Sequence, residues 1–119
     1  PDGVKRNLQG KIFSMMQEQG LIIIAQKMMR FSLEQAQKFY EAHKERGFYN
    51  DFCEYMSSSP ISAQILMHED ATQDVIKVYR DLMGATDPAK ADQGTIRKAF
   101  GISIDHNTVH GSDSKENAF

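Results

Sequence analysis

With Cys53 as its only cysteine, the sequence excludes an internal disulfide and a cysteine-built zinc site, and a reducing, cytoplasmic setting is the simplest expectation. The longest apolar run, Leu21 to Ala25, is far too short to span a bilayer, so no membrane role is expected. Neither sign of charge dominates: 14 basic and 16 acidic residues leave a net charge of −2. No broad basic surface is therefore available to draw in nucleic acid, and any polyanion has to be held by a local cluster. Walker A and GxGxxG turns are missing, as are internal repeats, low-complexity segments and any spacing of histidines and carboxylates suited to a metal cage. What is present is an ordinary globular composition, 40% hydrophobic and 25% charged over 119 residues. That is enough for one domain with a real core and too little for two.

Hydrophobic spacing supplies the order of elements. Val4, Leu8, Ile12 and Met15/Met16 recur at helical intervals ahead of Gly20, predicting one amphipathic helix over about residues 4–19. Leu21 to Ala25 reads as a buried strand that continues toward Phe31. Ser32 and Gln35 form a capping box for a helix from Leu33 to about His43, and Phe48, Phe52 and Tyr55/Met56 mark a second short helix, giving a helical hairpin. Ile61, Ala63, Ile65 and Met67 alternate with Ser62, Gln64, Leu66 and His68, a strand with one apolar face. Asp70 and Gln73 match another capping box, opening a helix whose core face is Val75, Ile76, Tyr79, Leu82 and Met83 and which Gly84 closes. From Ala85 to about His106 the chain is mostly irregular, with Asp87-Pro88 a cap and first turn and Thr95 to Phe100 a helical piece. Thr108 to Gly111 is expected as a last strand, with Ser112 or Asp113 capping a last helix. The sum is an α+β fold with helices on one face of a mainly antiparallel sheet.

Candidate chemistry concentrates late in the chain. His110, within Asn107-Thr108-Val109-His110-Gly111-Ser112-Asp113, suits a histidine nucleophile: a neutral imidazole near pH 7, a glycine leaving room for substrate, and a hydroxyl and a carboxylate following at once. Its residues equally fit a structural histidine near a helix start. Arg80 and Arg97 read singly as solvated surface arginines, yet together with Thr86 they offer a phosphate chain planar cationic forks and a hydroxyl. Phe48 fits either the core or a base-stacking platform. His43, His68 and His106 read as solvated or loop histidines, and Cys53 as a small core-filling residue.

These segments resemble the nucleoside diphosphate kinase family. Pro1-Asp2-Gly3-Val4-Lys5-Arg6-Asn7 is similar to the family's KPDxVxR opening, and Phe39-Tyr40 with Phe48-Tyr49 to its hairpin. Leu82-Met83-Gly84-Ala85-Thr86-Asp87-Pro88, Gly94-Thr95-Ile96-Arg97 and the His110 segment follow in the family's order. The resemblance implies a ferredoxin-like βαββαβ sandwich with a four-stranded antiparallel sheet. It implies transfer of the γ-phosphate of a nucleoside triphosphate to a nucleoside diphosphate, with Mg²⁺ carried by the nucleotide phosphates. By matching motifs, His110 would carry the phosphate and Arg80, Thr86 and Arg97 would hold phosphates. Asn107 would bind the ribose 3′-hydroxyl, Phe48 would stack on the base with Ile104 opposite, and Tyr40 and Ser112 would support the histidine. A homo-oligomer, hexamer or tetramer built from dimers, is implied as well.

The family motif starts with a lysine one position ahead of Pro1, preceded by the sheet's first strand, and a carboxylate that supports the histidine lies beyond the position of Phe119. Residues 1–119 are therefore expected to be one such domain continued at both ends in a longer protein. Between Pro60 and Arg80 the chain carries about four more residues than strand and turn lengths require, which should enlarge a turn near His68-Glu69-Asp70. Two other readings compete: a nucleotide-binding scaffold that kept the fold and lost catalysis, and a ferredoxin-like RNA-binding module. The second lacks a basic surface signature and an RNP-like aromatic run.

Overall fold

Two antiparallel strands, β1 (Leu21–Met29) and β2 (Ile61–His68), form the platform on which the helices pack in the computed structural model, which describes residues 1–118. Their register runs from Leu21 opposite His68 to Met29 opposite Ile61, with Ile24 as an extra residue between the pairs Ile23–Leu66 and Ala25–Ile65. Such a bulge bends the strand and sharpens its twist. The expected α+β arrangement is present, with two strands rather than four among the described residues. Thr108 to Gly111 is not a strand: Thr108 has φ of 76°, a left-handed conformation that no pleated strand accommodates.

Near the start, the expected single helix is broken in two. Helix α1 (Asp2–Lys5) ends at a turn where Asn7 takes φ of 57°, and α2 (Gln9–Glu18) starts afresh. Asparagine is among the few non-glycine residues that enter this region readily. The helical spacing survives within α2 and its lead-in, where Leu8, Ile12 and Met16 are buried with Leu21 of β1. Leu82 of α5 (Val75–Met83) and Ile96 of α6 (Ile96–Phe100) complete that core, with Ile23 and Leu66 packed against it from the sheet.

A second, smaller core lies in the hairpin of α3 (Leu33–Phe39) and α4 (Tyr49–Ser57), where Ala36, Cys53 and Met56 are buried. The Ser32–Gln35 capping box forms in both directions, at 3.1 and 2.9 Å. Helix α3 is shorter than its apolar spacing suggests, because the chain tightens into a 3₁₀ turn over Glu41–His43. The Tyr49 hydroxyl donates to the Gln37 carbonyl at 2.6 Å and ties the two helices together.

Three further expectations are corrected. Asp70 does not cap α5; its carboxylate accepts from the backbone N–H and hydroxyl of Thr72, while Asp74, adjacent to the helix, accepts from the N–H groups of Ile76 and Lys77. The Asp70–Gln73 spacing matches a capping box, but the helix starts at Val75, where Asp74 takes the cap position. His68 is not simply solvated: its Nδ1 accepts from the Asp70 N–H and its Nε2 donates to the Gln19 carbonyl, both at 2.9 Å, which fixes the neutral tautomer and braces the turn. The apolar row of β2 faces outward, with Ile65 59% and Met67 45% exposed beside Ile22 and Ile24 of β1. The inward row is the one with Leu66, since that face meets α2 and α5.

Helix α7 (Lys115–Ala118) closes the described chain. Between α5 and α6, Asp87 caps a 3₁₀ turn at Pro88–Lys90, as its place before Pro88 implied, and Thr95, expected inside the helical piece, instead caps α6 with its hydroxyl. The core and cap roles are separable by substitution. Ile96→Ala should lower unfolding free energy by roughly 2–5 kcal/mol, and Asp74→Ala by about 1 kcal/mol, both read from urea midpoints.

Candidate active site

Arg97 is the centre around which the late loops are built. It leaves α6 almost fully buried, at 6% exposure, and its guanidinium reaches two separate segments. Nη1 donates to the Gly84 carbonyl at 3.0 Å and Nη2 to the Val109 carbonyl at 2.8 Å. The first bond fixes the turn leading from α5 to Thr86, and the second fixes the residue just before His110. Gly84 is required in that turn: its φ is 85°, and a Cβ there would lie 2.7 Å from the Thr95 side chain. Burial pulls the Arg97 pKa below its usual value, and the nearby Arg80 pulls the same way. The guanidinium remains a cation at any physiological pH.

Asn107 supplies a second tie between the same segments. It is 2% exposed, and its amide donates to the Thr86 carbonyl at 3.2 Å. Its Oδ1, like Arg97 Nε, is enclosed with no hydrogen-bond partner in the described structure. Unpaired polar atoms so deeply placed cost stability, and such costs cluster at working sites.

His110 is held by its backbone and left free at its ring. The Tyr79 hydroxyl of α5 donates to its carbonyl at 3.2 Å, and Gly111 lies so close to Tyr79 that a Cβ would come within 2.7 Å of the ring. The imidazole meets Phe52 of α4 edge to face, with ring centroids 6.0 Å apart, and Phe52 meets Tyr40 in the same manner at 4.7 Å. His110 keeps an exposed surface, yet protein atoms crowd its ring closely enough for desolvation to be felt. Desolvation first, then repulsion from Arg97, lowers its pKa from the ordinary value to about 4. The imidazole is thus neutral at pH 7, with a lone pair available to attack an electrophile beside a fixed cation. Tyr40 is pushed up to about 12 by burial and acts as a neutral wall.

Arg97 and Asn107 tie the Gly84–Thr86 turn to the segment before His110, and Tyr40 reaches the His110 ring through Phe52. Arg80 is exposed on α5, one residue after Tyr79, and Thr86 is exposed on its loop. Phe48 is 44% exposed at the foot of α4, beneath the Arg46 guanidinium, and meets Phe52 at 6.3 Å. Ile104 stands 57% exposed in the loop after α6, and Ser112 is exposed two residues past His110.

Sequence reasoning missed the residues that hold this unit. Phe52 and Tyr79 were legible only as apolar positions on helices. Asp2, Tyr55 and Thr108 meet across more than fifty residues of chain, in hydrogen bonds of 2.7 and 2.8 Å. His106 is not a free loop histidine, since its ring stacks on Tyr55 at 4.0 Å. Only the place of Asp2 within a family-like opening motif pointed that way.

The chain is similar to known proteins over nearly its whole length. The model of the nucleoside diphosphate kinase family matches residues 1–119. A nucleoside diphosphate kinase from Erythrobacter litoralis is 52% identical over 118 residues, 99% of this chain and 81% of the relative. Among solved structures, the apo nucleoside diphosphate kinase of Encephalitozoon cuniculi superposes with a TM-score of 0.90 at 34% identity, over 99% of this chain and 78% of that one. A halophilic counterpart from Halobacterium salinarum, solved in complex with CDP, gives a TM-score of 0.86 at 37% identity, over 98% of this chain and 74% of that one. With its ferredoxin-like α+β fold and these relatives, the chain belongs to the nucleoside diphosphate kinase family of phosphotransferases.

Proposed function

We propose that His110 accepts the γ-phosphate of ATP or another nucleoside triphosphate and passes it to a nucleoside diphosphate, in two half-reactions with ping-pong kinetics. The observation that carries this reading is the pairing of a neutral, exposed imidazole with a buried arginine bonded to the residue before it. In-line phosphoryl transfer needs such a nucleophile and a cation for the charge that spreads over the migrating group. As His110 forms its N–P bond, the bond from the γ-phosphorus to the bridging oxygen breaks and the diphosphate leaves. The second half-reaction reverses these roles.

Arg80, Thr86 and Arg97 are assigned to the phosphates. Asn107 is assigned to the ribose 3′-hydroxyl, and its Oδ1, without a partner among the described residues, is an acceptor that such a hydroxyl would satisfy. Phe48 would stack on the base, with Ile104 opposite; both present exposed apolar surface. Stacking without base-edge hydrogen bonds tolerates every base, so discrimination would fall to ribose and phosphate. Tyr40 and Ser112 are assigned to the support of His110, Tyr40 through Phe52. Among the described residues no group of three or more His, Cys, Asp or Glu is placed to hold a metal. Mg²⁺ would arrive as part of the substrate, neutralising the nucleotide phosphates.

The finer architecture we propose is four antiparallel strands in βαββαβ order, in a homo-oligomer, hexamer or tetramer, built from a common dimer. The outward apolar row of Ile22, Ile24, Ile65 and Met67 supports burial by assembly. No helix among the described residues is long and apolar enough to cross a membrane, and the single buried cysteine supports a cytoplasmic location.

Incubation with γ-labelled ATP should yield an acid-labile, base-stable phosphoprotein; His110→Ala should carry no label, and a labelled mutant would refute the assignment. Arg97→Ala should slow transfer by roughly two orders of magnitude or more, with Arg97→Lys a poor substitute because an ammonium lacks the planar fork. Equal rates in all three proteins would remove Arg97 from the chemistry. Phe48→Ala should raise KM several-fold for purine and pyrimidine nucleotides alike with kcat little changed, whereas a change confined to one base would contradict stacking.

A further inference from the structure

The geometry points to Asp2 as a positioning residue for phosphoryl transfer: its buried carboxylate holds Thr108, and through Thr108 the segment that carries His110. This rests on the reading of His110 as the phosphate acceptor. Asp2 is 8% exposed, and both its oxygens are engaged. Oδ1 accepts from the Tyr55 hydroxyl at 2.8 Å; Oδ2 accepts from the Thr108 hydroxyl at 2.7 Å and from Arg6 at 3.3 Å. The Tyr55 oxygen in turn accepts from the Asp2 backbone N–H at 3.1 Å, and the stacked His106 ring covers the Tyr55 face.

Thr108 is the residue that most needs such a hold. Its φ of 76° is costly for a β-branched side chain, and a conformation of that kind persists only where its surroundings impose it. The restraints are visible on both sides. Its hydroxyl is tied to Asp2, the Val109 N–H donates to the Asn107 carbonyl at 2.9 Å, and Arg97 holds the Val109 carbonyl. His110 follows directly. Release of the Thr108 hydroxyl would let this residue relax toward negative φ, and the imidazole two positions on would swing with the chain.

The same cluster reaches the other half of the site. Arg6, bonded to Asp2, also donates to the Phe100 carbonyl at 2.6 Å, the last residue of the helix that carries Arg97. One carboxylate thus sets the nucleophile's segment directly and the cation's helix through Arg6. Burial works to raise the Asp2 pKa, but the bonds from Thr108 and Tyr55 outweigh it, so the group stays ionised as a strong acceptor.

Single-turnover phosphorylation of the full-length protein by γ-labelled ATP, over a range of ATP concentrations, separates positioning from binding and from folding. Thr108→Val keeps the side-chain shape and removes only the donor; Thr108→Ser keeps the donor. The saturated rate of Thr108→Val and of Asp2→Asn should fall about tenfold or more, since small misplacement of a reacting group has effects of that size. Half-saturating ATP should change less than about twofold, and Thr108→Ser should recover most of the rate. The double variant Asp2→Asn/Thr108→Val should be no slower than the slower single variant, because the two act through one bond. A parent labelled on His110 and matched in rate by Thr108→Val overturns the role of Asp2 alone, as does a Thr108→Ser variant as slow as Thr108→Val. A parent carrying no label on His110 overturns the phosphohistidine reading and this role with it.

Discussion

The buried guanidinium of Arg97 is the interaction on which the active region depends. Its two bonds join the turn after α5 to the segment before His110, so a cation and the histidine proposed as nucleophile are held on tied segments. The same burial that makes Arg97 a good strut makes its charge effective, because little water screens it. His110 feels that field, which adds to the larger effect of desolvation in lowering its pKa. Structure and reactivity here share one cause.

The region is irregular by necessity. Thr108, with φ of 76°, breaks any strand at this point, and the chain runs from a buried Asn107 to an exposed His110 within three residues. Loops of this kind keep a defined shape only if their backbone groups are taken up by other elements. Here the donors come from Arg97, Asn107 and Tyr79, and Asp2 adds an acceptor at the strained residue. The enclosed, unpaired Asn107 Oδ1 and Arg97 Nε are the cost of the arrangement.

Local rules in the sequence reached the elements that local physics controls. The Ser32–Gln35 box, the Asp87 cap and the buried series Leu8, Ile12 and Met16 all appear where side-chain spacing puts them. Expectation failed where two local options were nearly equal, as with Asp70 and Asp74, where a left-handed turn interrupts the helical spacing, as at Asn7, and where a distant contact holds the chain, as at Thr108. The site residues were legible as motifs, yet their supports were not. Asp2 meets Thr108 across nearly the whole chain, and Tyr55 looked like one more apolar position on a helix. Such pairs leave no periodicity for a sequence pattern to register.

The central claim is that the fold keeps His110 neutral and ready, and a pH titration of its imidazole followed by nitrogen-15 NMR tests it most directly. A folded-state pKa below the unfolded value means that the neutral form persists through the physiological range and protonates only in acid. The account predicts a midpoint far below the ordinary value of about 6.5, toward about 4. A midpoint at or above the ordinary value would contradict it.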